Sequence, residues 1–259
     1  MFKYSILSFN FGNYDKFREP EEIDPECEYI YVTDNKDYKS SIWNVKILSN
    51  FLDKSPLFKS FYVRYHPEEF VSTDKVIIID ASMQIHKSLK PIMASFQESR
   101  SPIGLSLYYK KITSFNKLNE WYKDNKFKNN NRHISPSSYF KAARFLFSNI
   151  STKYYGYAEA GFQIRNLSSP FIKEFQKITW KKLLELGFKG DPFRLDEIVI
   201  STFLQTRFKR IKPFFMCRQV IQSKFIDHIS HLSGKFIKEK ISYNQIYFYN
   251  KPQKVHIFE

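Results

Sequence analysis

The stretch Lys75-Val76-Ile77-Ile78-Ile79-Asp80 indicates the fold of this chain more clearly than any other part of its sequence. Four consecutive β-branched residues favour a strand that is buried on both faces, as the central strands of α/β sheets are. The stretch ends in a carboxylate, so Asp80 is expected at the carboxyl end of the strand. Ligands of open α/β sheets bind at that edge. The stretch therefore predicts both the centre of a sheet and a candidate site.

Further strands and helices are predicted along the chain. Aromatic and β-branched residues predict strands at residues 3–9, 29–34, 44–48, 103–109 and 157–165. Apolar residues at helical spacing predict helices at 60–70, interrupted near Pro67, at 169–186, ended by Gly187, and at 195–208. The pattern predicts an α/β fold, a Rossmann-type mixed sheet flanked by helices. We expect one domain over residues 1–210, with residues 211–259 as a basic, aromatic extension packed on it.

Two segments leave alternatives open. Residues 117–138 are polar, which suits either a flap over a site or a disordered loop. Residues 207–240 are basic and aromatic, which suits either contact with an anionic membrane surface or an ordinary solvated surface. No stretch approaches the roughly 20 apolar residues of a membrane span, and the first residues do not form a secretion signal. We therefore expect a cytoplasmic protein, peripheral at the inner face of the membrane.

The charge balance favours anionic partners. The chain carries 41 Lys and Arg against 26 Asp and Glu, a formal net charge of +15, which suits a phosphate-bearing ligand. Nucleic acid is not expected, because the aromatic residues fall mostly in apolar patterns and no nucleic-acid-binding motif occurs. Cys27 and Cys217 have no metal-binding spacing, and we expect both to be reduced and buried.

Polar residues follow the first two predicted strands. Phe11-Gly12-Asn13-Tyr14-Asp15 is predicted to be a turn in which Gly12 allows the backbone to approach a ligand closely. Thr33 and Asp34 end the next strand, where Asp34 could accept a hydrogen bond from a base or ribose, or cap the segment that follows. An ordinary turn is the alternative for Phe11–Asp15.

A second group of candidates could bind phosphate. Asp80 with Ser82 follows the central strand, and a carboxylate there could anchor Mg²⁺ or Mn²⁺; a turn or helix-capping aspartate is the alternative. Arg64 and Arg165 are candidate phosphate ligands because a guanidinium matches phosphate geometry. The favoured alternative is that they are surface residues, as most basic residues in a chain this basic are.

Three further carboxylates are candidates for proton transfer. Asp196 and Glu197 open a predicted helix, where the helix dipole by itself favours acidic residues. The functional alternative is a general base that deprotonates an acceptor hydroxyl. Glu159, in the strand predicted at 157–165, is the third candidate.

In their order along the chain, these motifs resemble a family of glycosyltransferase-like domains that includes bacterial surface-polysaccharide enzymes and a plant branch linked to pectin and mucilage. The opening Phe-Gly-Asn-Tyr-Asp is similar to the signature of the family. Ala81 and Glu197 depart from it, since the family carries Gly and Gln there. The similarity extends over residues 4–208, and its segments are 6–15, 29–34, 41–45, 64–67, 78–85, 157–165 and 196–197.

The resemblance implies a GT-A fold and transfer of a sugar from a nucleotide-sugar donor to a glycan or lipid-linked acceptor, in capsule, lipopolysaccharide or O-antigen synthesis. The implied donor site places the base near Phe11, Asn13, Thr33 and Asp34. The diphosphate would meet Asp80, directly or through a divalent metal (Mn²⁺ or Mg²⁺), with Arg64 or Arg165 supplying positive charge. A catalytically inactive glycan-binding or scaffolding relative is the alternative, because Ser82 stands where a second aspartate is usual. A basic nucleic-acid-binding protein is less favoured.

Overall fold

A computed structural model gives the structure of residues 2–49, 51, 54–108, 144, 157–187, 195–208, 210–217, 225–228, 246–248 and 251–253. It is an α/β structure built on a mixed sheet of seven strands. The sheet strands are β1 (Tyr4–Asn10), β2 (Cys27–Thr33), β3 (Asn44–Ile47), β4 (Lys75–Asp80), β6 (Ile103–Tyr108), β7 (Tyr157–Asn166) and β8 (Phe214–Cys217). Two short antiparallel ribbons join β5 (Met83–Ile85) to β9 (Ile226–His228) and β10 (Ile246–Phe248) to β11 (Lys251–Gln253).

The strand order is β3-β2-β1-β4-β7-β6-β8. Strands β1 to β4 run parallel to one another, β7 runs antiparallel to both β4 and β6, and β8 is parallel to β6. The carboxyl ends of β1, β2 and β4 and the amino end of β7 therefore meet at one edge of the sheet. Among the described elements, four α-helices accompany the sheet: α1 (Pro56–Tyr65), α2 (Lys90–Glu98), α3 (Pro170–Leu186) and α4 (Leu195–Gln205).

The sheet separates two apolar cores. One core packs α1, α3 and α4 against the face that carries Val76 and Ile78, and the other packs α2 against the face that carries Ile77 and Ile79. Side chains alternate between the faces of a strand, so β4 needs apolar residues at consecutive positions. The expectation that the stretch 75–80 is a strand buried on both faces is confirmed.

Most predicted elements are present, with shifted ends. The helix predicted to begin at residue 60 begins at Pro56, because the Ser55 side chain caps it and proline suits the first helical position. It ends at Tyr65, and a short 3₁₀ helix follows at Pro67–Glu69. The helix predicted to reach residue 208 ends at Gln205.

Helix α2, strand β8 and the four ribbon strands β5, β9, β10 and β11 were not predicted. Strand β8 lies inside the proposed C-terminal extension yet forms an edge strand of the main sheet. The segment 117–138 and most of 207–240 lie outside the described residues. None of the helices in the described ranges is both long and apolar enough to cross a membrane.

Candidate functional site

The candidate site lies where the chain leaves β1 and β4 towards opposite sides of the sheet. Phe9 pairs with Asp80 in the β1–β4 register, so the turn after β1 and the end of β4 are neighbours. In open α/β sheets a ligand binds at such a point, because the diverging connections leave a crevice between the two strand ends. Among the predicted residues, Phe11, Asn13 and Asp80 follow or end these two strands.

Arg64 lies at the centre of the site and joins three elements. It comes from the last turn of α1, and its guanidinium donates through Nη2 to Asp80 Oδ1 and through Nη1 to Asp196 Oδ2. The Arg64 side chain is only 7% exposed, and its guanidinium lies 5.2 Å from the centroid of the Phe9 ring. Burial would lower the pKa of Arg64, but the two carboxylates outweigh burial and raise it. Arg64 is therefore a fixed positive charge.

The two carboxylates that bind Arg64 differ in exposure. The Asp80 side chain is 37% exposed, whereas that of Asp196 is 5% exposed. Burial raises the pKa of Asp196; Arg64 opposes this effect, and the charge of Asp80 adds to it. Both Asp196 oxygens are engaged, since Oδ1 also accepts a hydrogen bond from the N–H of Glu197 at 2.9 Å. Asp80 thus faces the edge of the sheet, while Asp196 belongs to the interior.

A bulge in β7 explains the positions of Glu159 and Glu197. Leu105 pairs with Gln163 but Ser106 pairs with Glu159, so β7 residues 160–162 have no counterpart on β6. The Ala160 N–H, freed by the bulge, donates to Glu197 Oε1 at 3.3 Å, and Ser106 Oγ donates to Glu159 Oε2 at 3.0 Å.

Both glutamates are buried, with relative exposures of 4% for Glu159 and 5% for Glu197. The contacts of the two side chains stabilise the bulged strand. The bulge in turn brings Gly161 against Asp80: a Cβ on Gly161 would lie 2.9 Å from Asp80 Oδ2.

The turn after β1 is fixed by Asp34 and Lys59. Gly12 has φ +67°, a left-handed conformation that glycine adopts without strain. Its N–H donates to Asp34 Oδ1 at 2.9 Å, and Lys59 Nζ donates to Asp34 Oδ2 at 2.9 Å. Burial would raise the pKa of Asp34, but the Gly12 N–H and the Lys59 ammonium outweigh it and hold this pKa below its usual value. Lys59 Nζ also lies 5.9 Å from the centroid of the Phe11 ring.

The remaining residues of the turn bind one another. Asn10 closes it through its side chain, whose Nδ2 donates to the Asp15 carbonyl at 2.6 Å. Asn13, with φ +54°, accepts a hydrogen bond at Oδ1 from Asn35 Nδ2 at 2.8 Å. Thr33 is fully buried, and its Oγ1 accepts from the Asn35 N–H at 3.1 Å. Thr33 and Asp34 therefore fix the backbone of the loop after β2 and of the turn after β1. The Asn13 side chain binds Asn35 between the two.

Arg165 does not reach the edge of the sheet. It is 0% exposed, and its two terminal nitrogens donate to the carbonyl of Arg64 at 2.6 Å and to Gln163 Oε1 at 2.7 Å. The expectation that Arg165 contacts a phosphate does not fit this position, because the core separates its guanidinium from solvent. The arginine at the site is Arg64.

The carboxylates of the site do not form a metal centre by themselves. Within the part of the chain that the structure describes, His, Cys, Asp and Glu side chains form no group of three or more that could hold a metal ion. Asp196 has both oxygens engaged, and Asp80 Oδ1 is bound by Arg64. Ser82 Oγ, two residues further along the chain, is buried without a hydrogen-bond partner. Within the described ranges, the second oxygen of Asp80 and the Ser82 hydroxyl are fewer protein ligands than a dedicated Mg²⁺ or Mn²⁺ site needs.

One pocket lies at the opposite edge of the sheet, near the start of β2. It has a volume of about 370 Å³, and Asp24, Cys27 and Tyr29 are among its lining residues. Asp24 already accepts hydrogen bonds from Tyr4 OH at 2.8 Å and from the Glu26 N–H at 2.9 Å. Burial raises the pKa of the Cys27 thiol, which keeps it unreactive.

Sequence reasoning found most of the site but missed two of its members. Lys59 and Asn35 hold the turn after β1, and neither follows from the sequence, since Lys59 is one of 41 basic residues. The capping serine at position 55 is the one available signal, because it predicts a helix that carries both Lys59 and Arg64, five residues apart.

No protein-family model matches the chain, and no curated protein matches it. The fold and the site define an α/β protein with a charged site at the carboxyl edge of its central strands.

Proposed function

We propose that this protein is a glycosyltransferase of the GT-A type, which transfers a sugar from a nucleotide-sugar donor. One observation supports the proposal above the others: a buried arginine and a partly exposed aspartate lie together where β1 and β4 diverge. The order β3-β2-β1-β4 is that of the first half of a nucleotide-binding sheet. The resemblance of the short motifs to the glycosyltransferase-like family adds to this support.

Arg64 is the group that we expect to stabilise the leaving diphosphate. Catalysis of group transfer depends chiefly on charges that are already in place when negative charge develops, and the two carboxylates hold Arg64 fixed and protonated. The base of the donor would lie over the turn of Phe11 and Asn13, whose backbone Asp34 and Lys59 hold in place. We therefore propose that the donor binds at the ends of β1, β2 and β4.

Asp80 is the carboxylate that we expect to contact the donor. Of Asp80, Glu159, Asp196 and Glu197, only Asp80 is not buried: its side chain is 37% exposed, against residue exposures of 4% for Glu159 and Asp196 and 5% for Glu197. A bare carboxylate repels a diphosphate, so Asp80 more readily accepts hydrogen bonds from sugar or ribose hydroxyls. Asp196 binds Arg64, and Glu197 accepts a hydrogen bond from the backbone of β7. We therefore propose a structural role for these two carboxylates instead of the general-base role that the sequence suggested.

A thermal-shift screen tests donor binding. The protein is mixed with UDP, GDP, CMP and their sugars, with and without Mn²⁺. A ligand that binds only the folded state at 100 times its Kd stabilises the protein by about 2.7 kcal/mol, a visible rise in melting temperature. We expect a rise with one nucleotide class, lost in Arg64→Met and reduced in Asp80→Asn. If no nucleotide raises the melting temperature, the proposed function is wrong.

A binding-only relative is the second candidate. This candidate is supported by three carboxylates, Asp196, Glu197 and Glu159, that are buried and bind other groups of the protein. Of the carboxylates near Arg64 and the bulge, this leaves Asp80 as the exposed one. The two candidates differ in turnover. Donor binding accompanied by release of free nucleotide, with an acceptor or by slow hydrolysis, supports the transferase. Donor binding without any nucleotide release supports the binding-only protein.

The acceptor and the location of the protein remain part of the same proposal. A glycan or lipid-linked acceptor and a peripheral position at an anionic membrane surface follow from the proposed surface-polysaccharide role and from the basic residues of the chain. Flotation with vesicles of anionic and of neutral lipid measures membrane association directly. Association with neither vesicle would contradict the peripheral location and leave donor binding unaffected.

A further inference from the structure

The last turn of α1 ends inside the protein, and its carbonyl groups bind side chains of other elements. An α-helix leaves its last four carbonyls without partners in the helix. In α1 the carbonyl of Arg64 accepts from Arg165 Nη1 at 2.6 Å, and that of Tyr65 accepts from Gln176 Nε2 at 3.1 Å. Arg165 lies on β7 and Gln176 on α3, so two elements of the core fix the end of α1.

Arg165 makes this contact as a buried cation. It is 0% exposed, and burial lowers its pKa to about 10. The partners of its guanidinium are neutral: the carbonyl of Arg64, Gln163 Oε1 at 2.7 Å, and the Tyr65 ring, whose centroid is 5.1 Å away. The carboxyl end of a helix carries partial negative charge, and this end of α1 compensates part of the cost of burying a cation.

The backbone and the side chain of Arg64 are held from opposite directions. Its carbonyl is bound by Arg165 from β7, while its guanidinium reaches Asp80 at the end of β4 and Asp196 at the start of α4. A side chain that must meet two partners keeps its geometry only when its own backbone is fixed. The capped carbonyl is therefore part of the support of the site.

We propose that Arg165 is a positioning residue that holds Arg64 in register with Asp80 and Asp196 by capping the end of α1. The inference rests on the proposed function in one respect, namely that Arg64 binds the anionic part of the ligand. Arg165 itself does not touch the ligand, since it is 0% exposed and pairs with Val76, four residues before Asp80 at the ligand edge of β4.

Stability alone does not test this role. Arg165→Met leaves two acceptors without a donor, which destabilises the protein, but it also removes a buried cation, which stabilises it. The test therefore follows the order of Arg64 directly. The Nε–H signals of ¹⁵N-arginine-labelled protein are recorded without ligand, and the Arg64 signal is assigned from Arg64→Lys.

Three variants are compared with the wild-type protein. In Arg165→Met we expect the Arg64 Nε–H signal to move towards that of free arginine and its heteronuclear NOE to fall. In Arg165→Lys we expect an intermediate result, because one ammonium reaches fewer acceptors than a guanidinium fork. Phe96→Leu is the control: Phe96 is 2% exposed in the core on the other face of the sheet, so the variant perturbs packing but leaves the Arg64 signal unchanged.

Ligand binding provides the second measurement. With pyrophosphate and UDP as probes, Arg165→Met is expected to bind about tenfold more weakly than wild type, the size of one lost charge-assisted contact. Adding Arg165→Met to Arg64→Met should cause little further loss, since both changes remove the same interaction.

The outcomes separate this inference from the proposed function. An Arg64 signal that is unchanged in Arg165→Met overturns the positioning role, whatever the ligand data show. A loss of Arg64 order in Arg165→Met, in a protein that binds neither pyrophosphate nor any nucleotide, supports the positioning role while the proposed function fails.

Discussion

Arg64 and Asp196 are 132 positions apart in the sequence, yet a buried ion pair joins them. The pair connects the end of α1 to the start of α4 and shares its arginine with Asp80 at the end of β4. The charged site is therefore also a structural junction. Substitutions there affect stability and ligand binding together, and a matched control is needed to separate the two.

Replacing Arg64 by methionine should strongly destabilise the protein. The change leaves the 5%-exposed Asp196 side chain without its cation, and breaking a buried pair in this way costs about 3–5 kcal/mol. The free energy of unfolding in urea at pH 7 measures the loss.

Arg207→Met is the control for that prediction, because Arg207 and Glu174 form an exposed pair, with side chains 56% and 51% exposed. Such pairs contribute less than about 1 kcal/mol. A loss in Arg64→Met no larger than in Arg207→Met would contradict the buried junction.

Replacing Asp34 by asparagine should destabilise the protein at neutral pH and matter less in acid. The folded-state pKa of Asp34 lies below its usual value, so its contribution is present above the unfolded-state pKa of about 3.9 and is lost as pH falls through the folded-state pKa. With the buried Lys59 left unpaired, we expect a loss of about 1–3 kcal/mol near pH 6.5.

Urea unfolding between pH 2.5 and 7 tests this dependence. The difference between wild type and Asp34→Asn should shrink below pH 4. Asp37→Asn, at a nearby exposed position, should show no such change. A constant difference across the whole pH range would mean that the Gly12 and Lys59 contacts do not depend on the charge of Asp34.

Replacing Gly12 by alanine should affect both folding and ligand binding. Its φ of +67° strains a residue with a Cβ, and that Cβ would lie 2.9 Å from Pro56 Cγ at the start of α1. The left-handed conformation costs about 1–2 kcal/mol, and the clash displaces the turn that we assign to the donor.

Gly187→Ala separates the two effects, because Gly187 has φ +82° with no atom within 4 Å of the added Cβ. We expect it to lose stability and to keep wild-type UDP affinity, whereas Gly12→Ala loses both. Equal UDP affinity in the two variants, measured by isothermal calorimetry, would remove the turn from the proposed donor site.

Replacing Gly161 by alanine should weaken ligand binding more than it weakens the fold. The added Cβ would lie 2.9 Å from Asp80 Oδ2 and 2.9 Å from Met83 Cε, both ends of flexible side chains that can move. We expect Asp80 to turn away from its present position, with nucleotide affinity falling about tenfold.

Gly104→Ala is the matched control on the neighbouring strand. Its Cβ would lie 3.0 Å from the Cβ of Ile164 in the core, so overpacking should cost about 1–3 kcal/mol and leave nucleotide affinity unchanged. If Gly161→Ala binds nucleotide as well as wild type does, Asp80 does not contact the ligand.

Local patterns in the sequence were sufficient for the sheet and for part of the site. The run of β-branched residues at 76–79 specifies a strand with two buried faces, and the structure confirms it as β4. The resemblance of the motifs predicted that Phe11, Asp34 and Asp80 belong to one donor site, and the structure shows that the strands preceding them are parallel neighbours. By contrast, β8 was missed because its strand conformation depends on pairing with β6, a contact that its basic, aromatic neighbourhood does not reveal.

By itself, the sequence determined that this protein has an α/β sheet with polar groups at the carboxyl ends of its first strands, since alternation and burial are local properties of a strand. Only the tertiary structure decided which charges meet. The sequence offers 41 basic residues, and packing of α1 against β1 and α3 brings Arg64 to Asp80 and Asp196, with Arg165 bound to its carbonyl. The electrostatic energy of an ion pair depends on the distance between the two charges and on their burial away from water. Both are properties of the folded protein that local sequence patterns do not predict.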